Sequence, residues 1–66
     1  MLMRYDELAM AYFPDCSRTS AMRRLHYWIA TDELLRHRLR KARYRPKQRH
    51  LTQRQVKAFH EVLGLP

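Results

Sequence analysis

Backbone punctuation is scarce in this chain. Its only glycine is Gly64, and its prolines are Pro14, Pro46 and Pro66. These two residue types supply most of the special conformations that turns require. Their scarcity in 66 residues leaves room for few connections, all of them short. The length allows one small domain, spanning residues 1–66. A domain this small buries only about 60% of the surface that its unfolded chain exposes. Hydrophobic residues nevertheless make up 45% of the sequence, too many for a disordered chain. The expected fold class is therefore all-α.

Four helices are legible. Tyr5, Leu8, Ala9 and Tyr12 recur at i, i+3, i+4 and i+7 and predict a first helix over Tyr5–Tyr12. Asp6 and Glu7 sit in its first turn, where the helix dipole favours negative charge. Pro14 ends it. Ser17, with Asp15 as the rival, caps a second helix that runs to about Ala30. Its apolar face carries Ala21, Leu25, Trp28 and Ile29. Thr31 or Asp32 caps a third, about Glu33 to Ala42, with Leu35, Leu39 and Ala42 inward and Leu34 at the edge. The fourth starts at a T-x-x-Q capping box, Thr52 and Gln55, with Leu51 and Val56 placed as a hydrophobic staple. Val56, Phe59 and Leu63 form its expected inward stripe, and Gly64 fits the position just past its end. Arg43–His50 is the one substantial connection, and a short hairpin is compatible with it.

Charge is distributed unevenly. The formal net charge is +8, yet residues 1–33 sum to −1 and residues 34–66 to +9. No acid occurs between Leu34 and His60. A surface of one sign attracts phosphate chains and other polyanions. Solvated helix faces usually mix signs to relieve repulsion, and this one does not. Leu39, Ala42 and Tyr44 interrupt the basic run at core-like positions, which favours an ordered surface over a free tail.

The first two helices and their turn have the layout of a helix-turn-helix, although the turn lacks glycine and is longer than in the simplest versions. In such a motif the outward side chains of the second helix meet base edges in the major groove. Here they are Thr19, Ser20, Arg23, His26 and Tyr27, with Arg23 the most outward and suited to bidentate contact with guanine. Arg18, Arg36, Arg40, Lys41, Arg43, Arg45, Lys47 and Arg49 are the candidates for backbone phosphates. Tyr27 and Tyr44 are the only aromatic residues placed to stack on single-stranded bases, too few for an RNA platform.

Other functions find less support. The lone Cys16 allows no internal disulfide. The four histidines lack the spacing of a helical metal site, so no metal or cofactor is expected. There is no glycine-rich phosphate loop and no Ser/His/Asp arrangement, so neither an enzyme nor a small-molecule substrate is expected. No 18-residue apolar run occurs and the N-terminus does not read as a signal peptide, so the expectation is a cytoplasmic protein with no membrane partner.

The order of motifs resembles a family of short Bacteroides-type bacterial proteins that is filed as a domain of unknown function. The resemblance rests on three blocks and covers nearly the whole chain. The first is Glu7, Leu8, Ala9, Tyr12, Phe13 and Pro14, and the second is Ser20, Ala21, Arg23, Leu25, Trp28 and Ile29. The third is Tyr44, Arg45, Arg49, Leu51, Thr52, Gln55, Val56, Leu63, Gly64 and Pro66. Arg43 stands where that family has Gly, which speaks against a tight turn there. A looser, fold-level similarity is to winged helix-turn-helix regulators of the mercury-resistance and excisionase type. That similarity implies a wing made of Tyr44, Arg45, Lys47 and Arg49 that touches the DNA backbone.

The expectation from sequence is thus a compact four-helix domain with a helix-turn-helix-like hairpin and a short wing-like basic loop. Its expected partner is duplex DNA, bound as a small regulator or accessory factor, with a homodimer or a protein partner supplying further contacts. The alternatives are a module that docks on an acidic protein and an RNA binder.

Overall fold

The computed structural model describes residues 2–66. The elements run β1 (Met3–Arg4), α1 (Tyr5–Tyr12), α2 (Arg18–Thr31), α3 (Glu33–Lys41), β2 (His50–Leu51) and α4 (Gln53–Leu63). All four helices expected from the periodicity are present, and their starts follow from their caps. The Ser17 hydroxyl accepts from Ser20 N at 3.3 Å, and the Asp32 carboxylate accepts from Leu35 N at 3.0 Å. At α4 the capping box is complete, with Thr52 Oγ1 accepting from Gln55 N at 3.3 Å and Gln55 Oε1 from Thr52 N at 3.0 Å. Asp32 alone joins α2 to α3, ending one helix and capping the next. Thr31, the rival cap, instead donates its hydroxyl to Tyr27 O at 2.8 Å.

Leu8, Leu25, Leu35, Leu39, Leu51 and Phe59 are the largest fully buried side chains, so every helix contributes to one core. In α4 the buried positions are Gln55, Ala58 and Phe59, whereas Val56 and Leu63 are half-buried at the margin. The inward stripe is therefore rotated from the expected one, and it contains a polar residue. On the surface, Arg38 and Glu61 pair at 2.5 Å between α3 and α4. Both side chains are partly solvated, so this pair contributes at most about 1 kcal/mol.

Two features depart from the expected all-α domain. The first is a small antiparallel sheet that pairs Met3 with Leu51 and Arg4 with His50. Tyr5 N continues the pairing by donating to Arg49 O at 2.7 Å. The basic connection is thus no hairpin: the partner of β2 is the strand that precedes α1. Two-residue strands carry almost no periodic signal, which is why the sequence does not announce them.

The second is a tight turn at the end of α3. Tyr44 N donates to Leu39 O at 2.9 Å and Arg43 N to Arg40 O at 3.0 Å, the pair of bonds that defines a Schellman ending. Arg43 takes the left-handed conformation this requires, with φ 62°. Glycine would adopt it at no steric cost. The turn forms even with arginine because Tyr44, the residue after it, packs on the core and sets its edge against Phe59, with ring centroids 6.5 Å apart.

Two phenols, Tyr5 of α1 and Tyr44 of the connection, approach each other at the core. Burial raises the Tyr5 pKa far above the usual tyrosine range, and the nearby Tyr44 hydroxyl adds to the shift. Burial also raises Tyr44, which the Tyr5 hydroxyl partly offsets. The two hydroxyls are close enough to influence each other, but neither makes a hydrogen bond of regular geometry among the described residues.

Two predictions follow from these features. Arg43→Gly stabilises the domain by about 0.5–1 kcal/mol in urea denaturation, the relief of a left-handed side chain less the added freedom of the unfolded chain. The phenols give an alkaline dependence. Their folded pKa values lie above the unfolded value of about 10, so their contribution is present below pH ~10 and is lost as pH rises beyond it. Tyr5→Phe reduces this loss, and the variant is no less stable than the parent at pH 7 because it removes a buried hydroxyl without a partner.

Candidate nucleic-acid interface

The five residues proposed to read bases, Thr19, Ser20, Arg23, His26 and Tyr27, are all exposed on α2. They form a ridge, because residues three and four apart share one face of a helix. Tyr27 is 67% exposed. His26 stands on the side nearest the basic connection. Its ring stacks on Tyr5 with centroids 4.8 Å apart and an interplanar angle of 24°. On the other side, Arg23 and Tyr27 border a groove with Phe13, Arg24 and Trp28, where the Arg24 guanidinium lies over the Phe13 ring.

A cleft of about 630 Å³ separates α2 from the connection. Met22 and His26 form one wall, Pro46–His50 the other, and Arg4, Tyr5 and Asp6 close the end. A second cleft of about 290 Å³ continues past His26 and Pro46 to Arg36 and Arg40 on α3. The fold therefore brings Arg36, Arg40, Lys47 and Arg49 to one side of the α2 ridge. All four are exposed, and none pairs with a carboxylate among the described residues.

The remaining candidates lie elsewhere. Lys41 faces Arg38, Arg54 and Lys57 on the α3/α4 flank, away from the ridge. Arg43 and Arg45 are exposed on the connection but line neither cleft. Arg18 is engaged within the chain, with its Nε 3.5 Å from Asp6 Oδ2. The same oxygen accepts from Arg4 Nη2 at 2.8 Å. Asp6 is buried, and two arginines offset its charge, so it subtracts little from the positive field of the cleft. Tyr44, one of the two candidates for base stacking, is packed into the core edge and is not free to stack.

Sequence reasoning missed Arg4 and His50 as cleft residues. Both arrive through the β1–β2 pairing, and Arg4 sits in the half of the chain whose net charge is negative. It also missed what holds the connection in place. Gln55 is buried, and its Nε2 donates to Ala42 O at 3.0 Å and to Gln48 Oε1 at 3.2 Å. The two glutamines also bond in the reverse sense, from Gln48 Nε2 to Gln55 Oε1. Gln48 Nε2 reaches His50 O at 2.5 Å, and Gln48 Oε1 accepts from Arg45 N at 3.3 Å. One glutamine pair thus ties the end of α3, the middle of the connection and the start of α4 together. The capping box revealed Gln55 but not its inward use.

No helix among the described residues is long and apolar enough to cross a membrane. No group of three or more His, Cys, Asp or Glu comes together there as metal ligands do.

The network gives a direct test. Gln55→Leu removes the side-chain partner of Ala42 O and Thr52 N and leaves the Gln48 amide only its bonds to Arg45 N and His50 O. It destabilises the domain by about 1–3 kcal/mol, and amide exchange rises most in Arg45–His50.

No curated protein and no solved structure matches the chain. The family model of a domain of unknown function, DUF4248, matches residues 2–66, and the chain belongs to that family.

Proposed function

We propose that this domain binds duplex DNA, with α1 and α2 acting as a helix-turn-helix-like unit and the basic connection taking the part of a wing. The observation that carries this reading is the exposed α2 ridge beside a cleft lined by Lys47 and Arg49, neither of which pairs with a carboxylate among the described residues. In the proposed complex the ridge enters the major groove. Arg23 and Tyr27 meet base edges, and Thr19 and Ser20 lie toward the start of the helix. Lys47 and Arg49, with Arg36 and Arg40 beyond His26, hold the phosphates of the flanking strand. Arg43 and Arg45 add to the field from the outer side of the connection. Phosphate contacts of this kind position a protein on DNA, and sequence is read separately by the base contacts.

The wing differs from a hairpin wing in its construction. Its shape comes from the Schellman turn at Arg43, the Gln48–Gln55 pair and the β1–β2 pairing. The ridge offers five side chains, few for a selective site. Sequence-specific regulation by so small a domain therefore calls for a second copy or a protein partner.

The test is a titration of labelled duplex at two salt concentrations. Binding weakens along a linear log–log slope of about −0.9 per phosphate neutralised. Arg45→Ala weakens all sequences alike, whereas Arg23→Ala changes sequence preference. Absence of duplex binding at low salt, together with binding to an acidic protein, would replace this reading with that of a protein-docking module. Stronger binding to single-stranded RNA would replace it with that of an RNA binder.

A further inference from the structure

The two clefts meet at a saddle. His26 and Pro46 are the residues common to both, with Lys47 and Arg49 on one side and Arg36 and Arg40 on the other. Among the described residues, the one carboxylate lining either cleft is Asp6, and its Oδ2 is already held between Arg4 and Arg18. A single small anion would relieve the repulsion in one group of cations and leave the other untouched. A chain of linked anions relieves both. The ring it would cross between them is that of His26, stacked on Tyr5 and exposed.

We infer, building on the duplex-binding reading, that one phosphodiester strand passes from the Lys47–Arg49 cleft to the Arg36–Arg40 cleft over His26, and that His26 takes up a proton as the strand binds. The charged and titratable groups around His26 come from every neighbouring element. Tyr5 and Asp6 belong to α1, Arg4 to β1, and Arg36 and Arg40 to α3. The connection adds Tyr44, Lys47 and Arg49, and β2 adds His50. Asp6 is the only acid among them. A phosphate laid across the saddle brings negative charge to the imidazole and favours its protonated form. Histidine is the side chain that ordinarily titrates near neutrality. By linkage, the strand binds more tightly as pH falls through the histidine range and less tightly as pH rises through it.

The experiment measures duplex affinity by fluorescence anisotropy at pH 6 and pH 8, at several salt concentrations, for the parent, His26→Phe and His50→Gln. Phenylalanine keeps a ring on Tyr5 and cannot be protonated. The parent binds several-fold more tightly at pH 6 than at pH 8, with a log–log salt slope steeper by about 0.9. The ratio of affinities at pH 6 and pH 8 falls to about one in His26→Phe, whatever its affinity at pH 8, and stays close to the parent's in His50→Gln. Arg40→Ala and Lys47→Ala each reduce the slope by about one. An equal gain at pH 6 in His26→Phe overturns the inference, and so does an unchanged slope in either cation variant. Polyglutamate of matched charge showing the same His26-dependent gain overturns the choice of a phosphodiester strand. Duplex binding without that gain leaves the preceding reading intact, whereas no duplex binding at either pH defeats both.

Discussion

The basic surface depends on the buried amide of Gln55. A segment with cations at Arg43, Arg45, Lys47 and Arg49 repels itself and has few apolar side chains to anchor it. What opposes the repulsion is a polar contact inside the protein. Gln55 belongs to a capped helix, so its position is set before the connection is considered. From there it reaches the last carbonyl of one element and the side chain of another. Satisfied buried polar groups specify a geometry more narrowly than apolar contacts do, because each lost bond leaves a donor or acceptor stranded. The connection is therefore held from below, and its cations face outward.

The helices were legible because each rests on local chemistry. The Tyr5–Tyr12 stripe, the Ser17 and Asp32 caps and the Thr52–Gln55 box act within four residues, and the structure keeps all of them. The failures were nonlocal. Arg4 pairs with His50 across most of the chain, and two-residue strands leave no alternation to read. Gln55 was recognised as a cap and not as a core residue, because its second role depends on where Ala42 and Gln48 end up. At Arg43 the residue type argued against a left-handed turn, but the packing of Tyr44 outweighed that preference. The basic run was correctly separated into a helix and an anchored connection. Which of its cations stand together could not be read, since Lys41 and Arg40 are adjacent in sequence yet line different clefts.

The acids also follow a pattern that charge totals conceal. Asp6 and Glu61 are used within the fold, the first against Arg4 and Arg18 and the second against Arg38. Asp32 caps a helix, and Glu7 accepts from Arg4 N at 3.3 Å. Four of the six carboxylates are thus committed to structure, and among the described residues Lys47, Arg49, Arg36 and Arg40 pair with none. One part of the surplus of +8 therefore lies on the side of α2 that faces the connection, and another lies on the α3/α4 flank.

The pairing of Met3–Arg4 with His50–Leu51 bears on how the protein comes to hold this surface at all. Arg4 helps close the end of the cleft, and Gln55, distant from it in sequence, fixes the middle of the connection. Contacts between such distant residues form late, because the loop between them must first be closed. A nascent or partly unfolded chain carries the full charge without the path that orders it. Under the proposed function such a chain binds polyanions loosely, and only the completed fold offers a strand one track in place of a diffuse cloud of arginines.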